Sequence, residues 1–177
     1  PSLPAKGIVG FTDMLAGQST YPSHTPAYED ICALQYTGGT TGVSKGVMLT
    51  QGSLMSNVAQ TMAMVSSGGR SVTHFTTVSP LPLYHIYAWM LNMGLMPATR
   101  GHSVLIPDPR NIPMFVGAIK SLDFEIFCGL NSLFVALLQD SKFKKLDFSK
   151  LQITLSGGMA LMDAVAEEWH QATGCVV

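Results

Sequence analysis

Hydrophobic and polar positions along the chain switch between two periods. Compact apolar runs at residues 31–36 and 47–50 predict two strands, separated by a stretch of glycines, threonines and one lysine. Thr50 is placed to cap a helix running to about residue 66, because Leu54, Val58, Met62 and Val65 recur at helical spacing. Ser67-Gly68-Gly69 ends that helix. Further strands are predicted at 72–78, 103–106, 125–128 and 151–155, and further helices at 84–95, 112–121, 132–139 and 160–173. Pro80 and Pro82 blur the start of the helix at 84, whereas Pro113 suits the first turn of the next and Asn131 can cap the one after it. The last helix should turn Met162, Val165, Ala166 and Trp169 inward. Strands alternating with helices predict an α/β fold, a mostly parallel sheet flanked by helices, with the Gly/Thr-rich loop between two of its strands. Residues 1–30 are rich in Pro, Ser, Thr and Gly, with a short helix expected at 11–16 and an extended linker at 20–26. The chain therefore divides into a linker with a partial N-terminal segment (1–30) and a main domain (31–177).

Composition narrows the partners. Charged residues are 12% of the 177, about half the usual share. A surface so poor in charge is expected to be partly covered, as in a piece of a larger body or a homodimer. The formal net charge of −1 leaves no footprint for nucleic acid. Cys32, Cys128 and Cys175 form neither a Cys-x-x-Cys pair nor a zinc-spaced cluster, which suits buried thiols in a reduced, intracellular setting. Pro1-Ser2-Leu3-Pro4 does not begin a signal peptide, and the apolar stretch 81–96 is interrupted by Pro82, His85 and Asn92 and is too short to span a bilayer. Gly174-Cys175-Val176-Val177 reads as a strand starting after a helix stop, so the C-terminus is expected to be a cut.

The most informative stretch is Tyr36-Thr37-Gly38-Gly39-Thr40-Thr41-Gly42-Val43-Ser44-Lys45-Gly46. Its glycines free the backbone to present N–H groups, and its hydroxyls add donors, a combination that suits phosphate oxygens. From residue 31 to 69 the one charged side chain is Lys45, at the end of this loop. Ordinary surface turns rarely gather so many glycines and threonines. A Walker A loop is excluded, because Ser44 precedes Lys45 and Gly46 follows it. A nucleophile elbow at Ser156 is excluded as well, since Thr154 stands where glycine is needed.

Tyr36 to Gly46 resembles the signature of the adenylate-forming superfamily, which includes acyl-CoA ligases, peptide-synthetase adenylation domains and beetle luciferases. The Gly38-Gly39 form, with Leu34-Gln35-Tyr36 before it and Val47-Met48-Leu49-Thr50 after it, looks most like bacterial long-chain fatty-acid CoA ligases. Two other segments agree. Leu81-Pro82-Leu83-Tyr84-His85-Ile86-Tyr87-Ala88-Trp89 is similar to the family's aromatic-histidine motif. Leu155-Ser156-Gly157-Gly158-Met159-Ala160-Leu161 resembles its Gly-Gly-Ala-Pro-Leu segment, from which Met159 and the missing proline depart.

The resemblance implies part of the large N-terminal domain of such an enzyme, in the cytoplasm, with peripheral contact at the inner membrane left open. It implies that Thr37, Gly38, Gly39, Thr40, Thr41, Gly42 and Lys45 bind the phosphates of ATP, with Lys45 and Thr40 catalytic and Thr40 on Mg²⁺. Gly157, Gly158 and Met159 would border the adenine and the acyl carboxylate, and Tyr84, His85, Trp89 and Gly158 would line the acyl pocket. For His85 the plainer role is a satisfied core histidine, and for Trp89 simple core packing. The implied partners are a fatty acid, ATP and CoA: the carboxylate attacks ATP to give acyl-adenylate and pyrophosphate, and the CoA thiol then displaces AMP. The alternatives are a ligase for an aryl or short-chain acid, a peptide-synthetase adenylation domain, or a non-catalytic binding module. The family's Tyr-Gly-x-Thr-Glu segment, ribose-binding aspartate and mobile C-terminal domain are absent from residues 1–177. Purified 1–177 is therefore expected to form no acyl-CoA in a ligase assay; measurable product would overturn that expectation.

Overall fold

The computed structural model describes residues 25–37, 44–66 and 73–177. The expected helix at 11–16, the tripeptide Ser67-Gly68-Gly69 and the loop residues Gly38, Gly39, Thr40, Thr41, Gly42 and Val43 lie outside them.

Strands β1 (Ile31–Thr37) and β2 (Lys45–Thr50) pair antiparallel into a two-stranded ribbon. Its side chains are largely exposed, including Ile31, Leu34, Tyr36, Val47 and Met48. Helix α1 (Gln51–Ser66) follows directly, and the Thr50 hydroxyl accepts the Ser53 N–H at its start, as the cap predicts. Leu54, Val58 and Val65 are buried, and Met62 is half-buried against the cluster that contains Val65.

The second sheet is parallel and four-stranded. It consists of β3 (Thr76–Ser79), β4 (His102–Leu105), β5 (Ile126–Gly129) and β6 (Ile153–Ser156), in the order β4-β3-β5-β6. Helices cover both faces, as a parallel sheet requires. On one side, α4 (Ile112–Ile119), α5 (Asn131–Leu138) and α6 (Asp163–Thr173) build a core with Val78 and Phe127 of the sheet. Trp169 is wholly buried there, its ring centroid 5.0 Å from Phe127 and 4.7 Å from Phe134. Its indole N–H donates to Thr154 Oγ1 at 3.0 Å. On the other side, Val65 of α1 packs with Phe75, Leu91, Leu95, Met96, Ile126 and Cys128.

That second layer departs from the expected single helix at 84–95. The chain turns through Tyr84 and His85, forms α2 (Ile86–Trp89), continues as a π-helical stretch (Met90–Leu95) and ends as α3 (Met96–Thr99). The start is late because His85 is extended and caps the helix, its Nδ1 accepting the Tyr87 N–H at 3.3 Å. The π stretch is held by Asn92, whose Nδ2 donates to Ala88 O while its Oδ1 accepts from Ser79 Oγ, both at 2.8 Å.

Two residues differ from their expected roles. Met162 is exposed, because α6 starts at Asp163, three residues later than expected, and Met162 stands outside its periodic face. Asn131 is the first residue of α5, and its Oδ1 accepts the Met162 N–H at 3.0 Å instead of capping its own helix. Trp169→Ala should cost about 3–5 kcal/mol of unfolding free energy, and Thr154→Ala about 1–3 kcal/mol by stranding the indole donor. Urea denaturation of each variant checks both values and their order.

Candidate active site

Strand order reverses beside β3: the chain passes first to β4 on one side and then to β5 on the other. Loops leaving β3 and β5 separate at such a point, and the crevice beyond the carboxyl ends of the strands is the natural ligand position of an open α/β sheet. Here the crevice is a cavity of about 260 Å³. The segment after β3 supplies Leu81, Pro82, Tyr84, His85 and Tyr87, the residue after β5 supplies Leu130, and the turn after β6 supplies Gly158 and Met159.

The turn after β6 is shaped by close approach. Gly158 has φ 77°, in the left-handed region that favours glycine. A Cβ on Gly157 would lie 2.8 Å from Cε1 of the Tyr87 ring, so the aromatic can pack on this backbone only because position 157 is bare. The Asn131–Met162 hydrogen bond ties the far end of the turn to α5.

The ribbon reaches the same place. Thr37 and Lys45 are register partners, so the ends of the Gly/Thr stretch are held opposite each other. The Lys45 side chain is exposed and makes no hydrogen bond or ion pair with a described residue. Two residues before Thr37, Gln35 Nε2 donates to the Tyr84 carbonyl at 3.0 Å. That bond fastens β1 to the cavity wall.

Behind the wall lies a polar cluster that sequence reasoning passed over. Tyr87 Oη and Thr77 Oγ1 are buried and make no hydrogen bond of ordinary geometry; the polar group beside them is the Cys128 thiol. Burial, and then the neighbouring Cys128, hold the Tyr87 phenol well above its usual range. Burial pushes the Cys128 thiol up to about 12, against partial relief from Tyr87 and Thr77. A hydroxyl-bearing ring two residues after His85 in the aromatic-histidine motif was the available signal for Tyr87. Nothing local marked Cys128 and Thr77, which meet only through strand pairing.

Of the residues singled out from sequence, Tyr84, His85, Gly158 and Met159 meet at the cavity. Gly157 lies behind it under Tyr87. Thr37 and Lys45 meet as register partners at the ends of β1 and β2, and Gly38, Gly39, Thr40, Thr41 and Gly42 lie outside the described residues. Trp89 is half-buried at the end of α2 and is not among the residues lining this cavity. No group of three His, Cys, Asp or Glu side chains able to hold a metal occurs among the described residues. No described helix is long and apolar enough to cross a membrane.

A parallel layer whose cavity sits at the strand-order reversal defines an open α/β domain that takes its ligand at the carboxyl ends of the strands. The chain belongs to the AMP-binding enzyme family, which matches it over residues 5–177. That match begins upstream of the stretch that carried the sequence resemblance. The long-chain-fatty-acid–CoA ligase of Haemophilus influenzae is 45% identical over 149 residues, covering 83% of this chain and 26% of that protein. The chain thus spans about a quarter of the length of such relatives. Among solved structures, the anthranilate CoA ligase AuaEII in complex with anthranoyl-AMP superposes with a TM-score of 0.80 at 24% identity, covering 99% of this chain and 34% of that one. ATP-bound MatB from Rhodopseudomonas palustris superposes with a TM-score of 0.71 at 25% identity, covering 94% and 32%. The α/β architecture is therefore that of adenylate-forming enzymes.

The cysteines give a direct check on the buried cluster. Because the folded state holds the Cys128 proton more tightly than an unfolded chain does, stability is fully present below the ordinary thiol value of 9.0. It should fall as pH rises from there towards 12, and the Tyr87 phenol adds to the loss. Urea midpoints across that range check the direction. At neutral pH a thiol reagent should label exposed Cys32 first and reach Cys128 and Cys175 only on unfolding.

Proposed function

We propose that the protein containing this chain is an AMP-forming, ATP-dependent ligase that activates a long-chain fatty acid and transfers it to CoA. The observation that carries the reading is the hydrogen bond from Gln35 to the Tyr84 carbonyl, which couples the hairpin to the cavity. Phosphates held by the hairpin would then lie beside a carboxylate held by the cavity, and such pre-positioning is a large part of phosphoryl and adenylyl transfer.

In this reading Thr37, Gly38, Gly39, Thr40, Thr41, Gly42 and Lys45 cradle the phosphates of ATP. The exposed ammonium of Lys45, unpaired within the described residues, offsets charge developing on the pyrophosphate as the α-phosphorus is attacked. Mg²⁺ binds chiefly through substrate phosphates and water, so it would arrive with the nucleotide, Thr40 being the protein contact we propose in this chain. Gly157, Gly158 and Met159 border the adenine and the acyl carboxylate, and Tyr84 and His85 wall the acyl entrance. Release of pyrophosphate leaves the acyl-adenylate, whose carbonyl the CoA thiol attacks with AMP as leaving group. We place the enzyme in the cytoplasm, without a spanning helix among the described residues.

An aryl acid is the second reading, favoured by the rings of Tyr84, His85 and Tyr87 around the cavity. Pyrophosphate exchange by the full-length protein, with fatty and aryl acids compared, separates the two. Exchange driven best by long saturated acids supports the first reading, and exchange driven best by benzoate-like acids replaces it with the second. Lys45→Ala should slow exchange by roughly 10²-fold, the scale of losing one preorganised donor. An unchanged rate would falsify the hairpin's role.

A further inference from the structure

Strand β1 turns alternate residues inward. Ala33 and Gln35 are half-buried, whereas Leu34 and Tyr36 are exposed. Gln35 is therefore a polar side chain on the inner face of the strand that leads into the Gly/Thr stretch. Its Nε2 donates to the Tyr84 carbonyl at 3.0 Å and to the Tyr36 carbonyl at 3.3 Å. Among the described residues, no other hydrogen bond joins β1 or β2 to the segment after β3. Both ends of this link are themselves fixed. The Tyr36 ring lies across the ribbon on Gly46, where a Cβ would come within 3.2 Å of Tyr36 Cζ, and Thr37 pairs with Lys45. On the other side the His85 N–H donates to the Pro82 carbonyl at 3.0 Å, and the His85 carbonyl accepts the Trp89 N–H at 2.9 Å. The backbone around Tyr84 is thus tied into a turn and a helix. One neutral amide sets the spacing between the two parts of the candidate site.

We propose that Gln35 is a positioning residue for the first half-reaction alone. In that step a carboxylate oxygen bonds to the α-phosphorus of ATP, the bond from that phosphorus to the bridging oxygen breaks, and pyrophosphate leaves with the electron pair. The acid and the phosphates are held by different elements, the cavity and the stretch beyond Thr37. The rate then depends on the spacing of those elements, and an error of about 1 Å costs on the order of 10²-fold. In the second step acyl group and phosphorus are already joined. The CoA sulfur, its proton lost to solvent, bonds to the acyl carbon as AMP leaves, and the spacing of ribbon and cavity no longer sets the distance between reacting atoms. Gln35 touches no reacting atom and acts through the backbone of Tyr36 and Tyr84. This inference rests on the ligase reading above.

The test uses the full-length protein and measures the two steps apart, by pyrophosphate exchange and by CoA-dependent consumption of a synthetic acyl-adenylate. Gln35→Met nearly keeps the length of the side chain and removes the donor. Gln35→Glu keeps its shape and, ionised, offers oxygens that only accept. Both should lower the kcat of exchange by about tenfold to a hundredfold, with the KM values for ATP and acid within about twofold of the parent's. Gln35→Glu should lose more, and both should consume the acyl-adenylate at the parent's rate. A merely structural role would not produce that split. Equal losses in both steps, no loss in either, or a loss confined to the KM for ATP overturns the positioning role and leaves the ligase reading intact. A parent that exchanges with no acid overturns both.

Discussion

The structure depends on one strand having no face to spare. All four residues of β5 are buried, and a parallel strand in this position must be covered on both sides. Phe127 points into the aromatic cluster around Trp169, while Ile126 and Cys128 point into the layer formed by α1 and the π stretch. Placing a helical layer against each face fixes the loops at the strand ends, and with them the crevice between the segment after β3 and Leu130. The site is a by-product of where the chain must turn back to bury β5.

The alternation of strands and helices was legible in sequence because the buried strands are short apolar runs and the covering helices keep their period. Most boundaries shifted by one to three residues, where local periodicity has no authority. The helix expected at 84–95 shows what pattern reading cannot resolve. A largely apolar run looks like one helix, whereas an extended His85 delays its start and the Asn92–Ser79 hydrogen bond favours a π stretch. Met162 misled for a related reason: apolar spacing continued across a helix start that lies at Asp163.

The candidate site was legible in proportion to how local each part is. The Gly/Thr hairpin announces itself through composition and a solitary lysine, and the register of Thr37 with Lys45 fits a hairpin there. The meeting of Tyr84 and His85 with Gly158 and Met159 joins residues more than seventy positions apart, and sequence reached it by resemblance to a family. The cluster of Tyr87, Cys128 and Thr77 was not reached at all, because two strands and a helix must assemble before those groups are neighbours. Trp89 drew notice through the family resemblance, yet it is Tyr87 that lines the cavity at the strand ends.

The ribbon of β1 and β2 carries apolar residues at the surface, and among the described residues no third strand pairs with it. Unpaired strand edges combined with exposed Ile, Leu, Val and Met make an adhesive template. A segment handled in this form would therefore tend to self-associate through its hairpin before its buried layers ever came apart, and solubility rather than thermal unfolding would set the practical ceiling on its concentration.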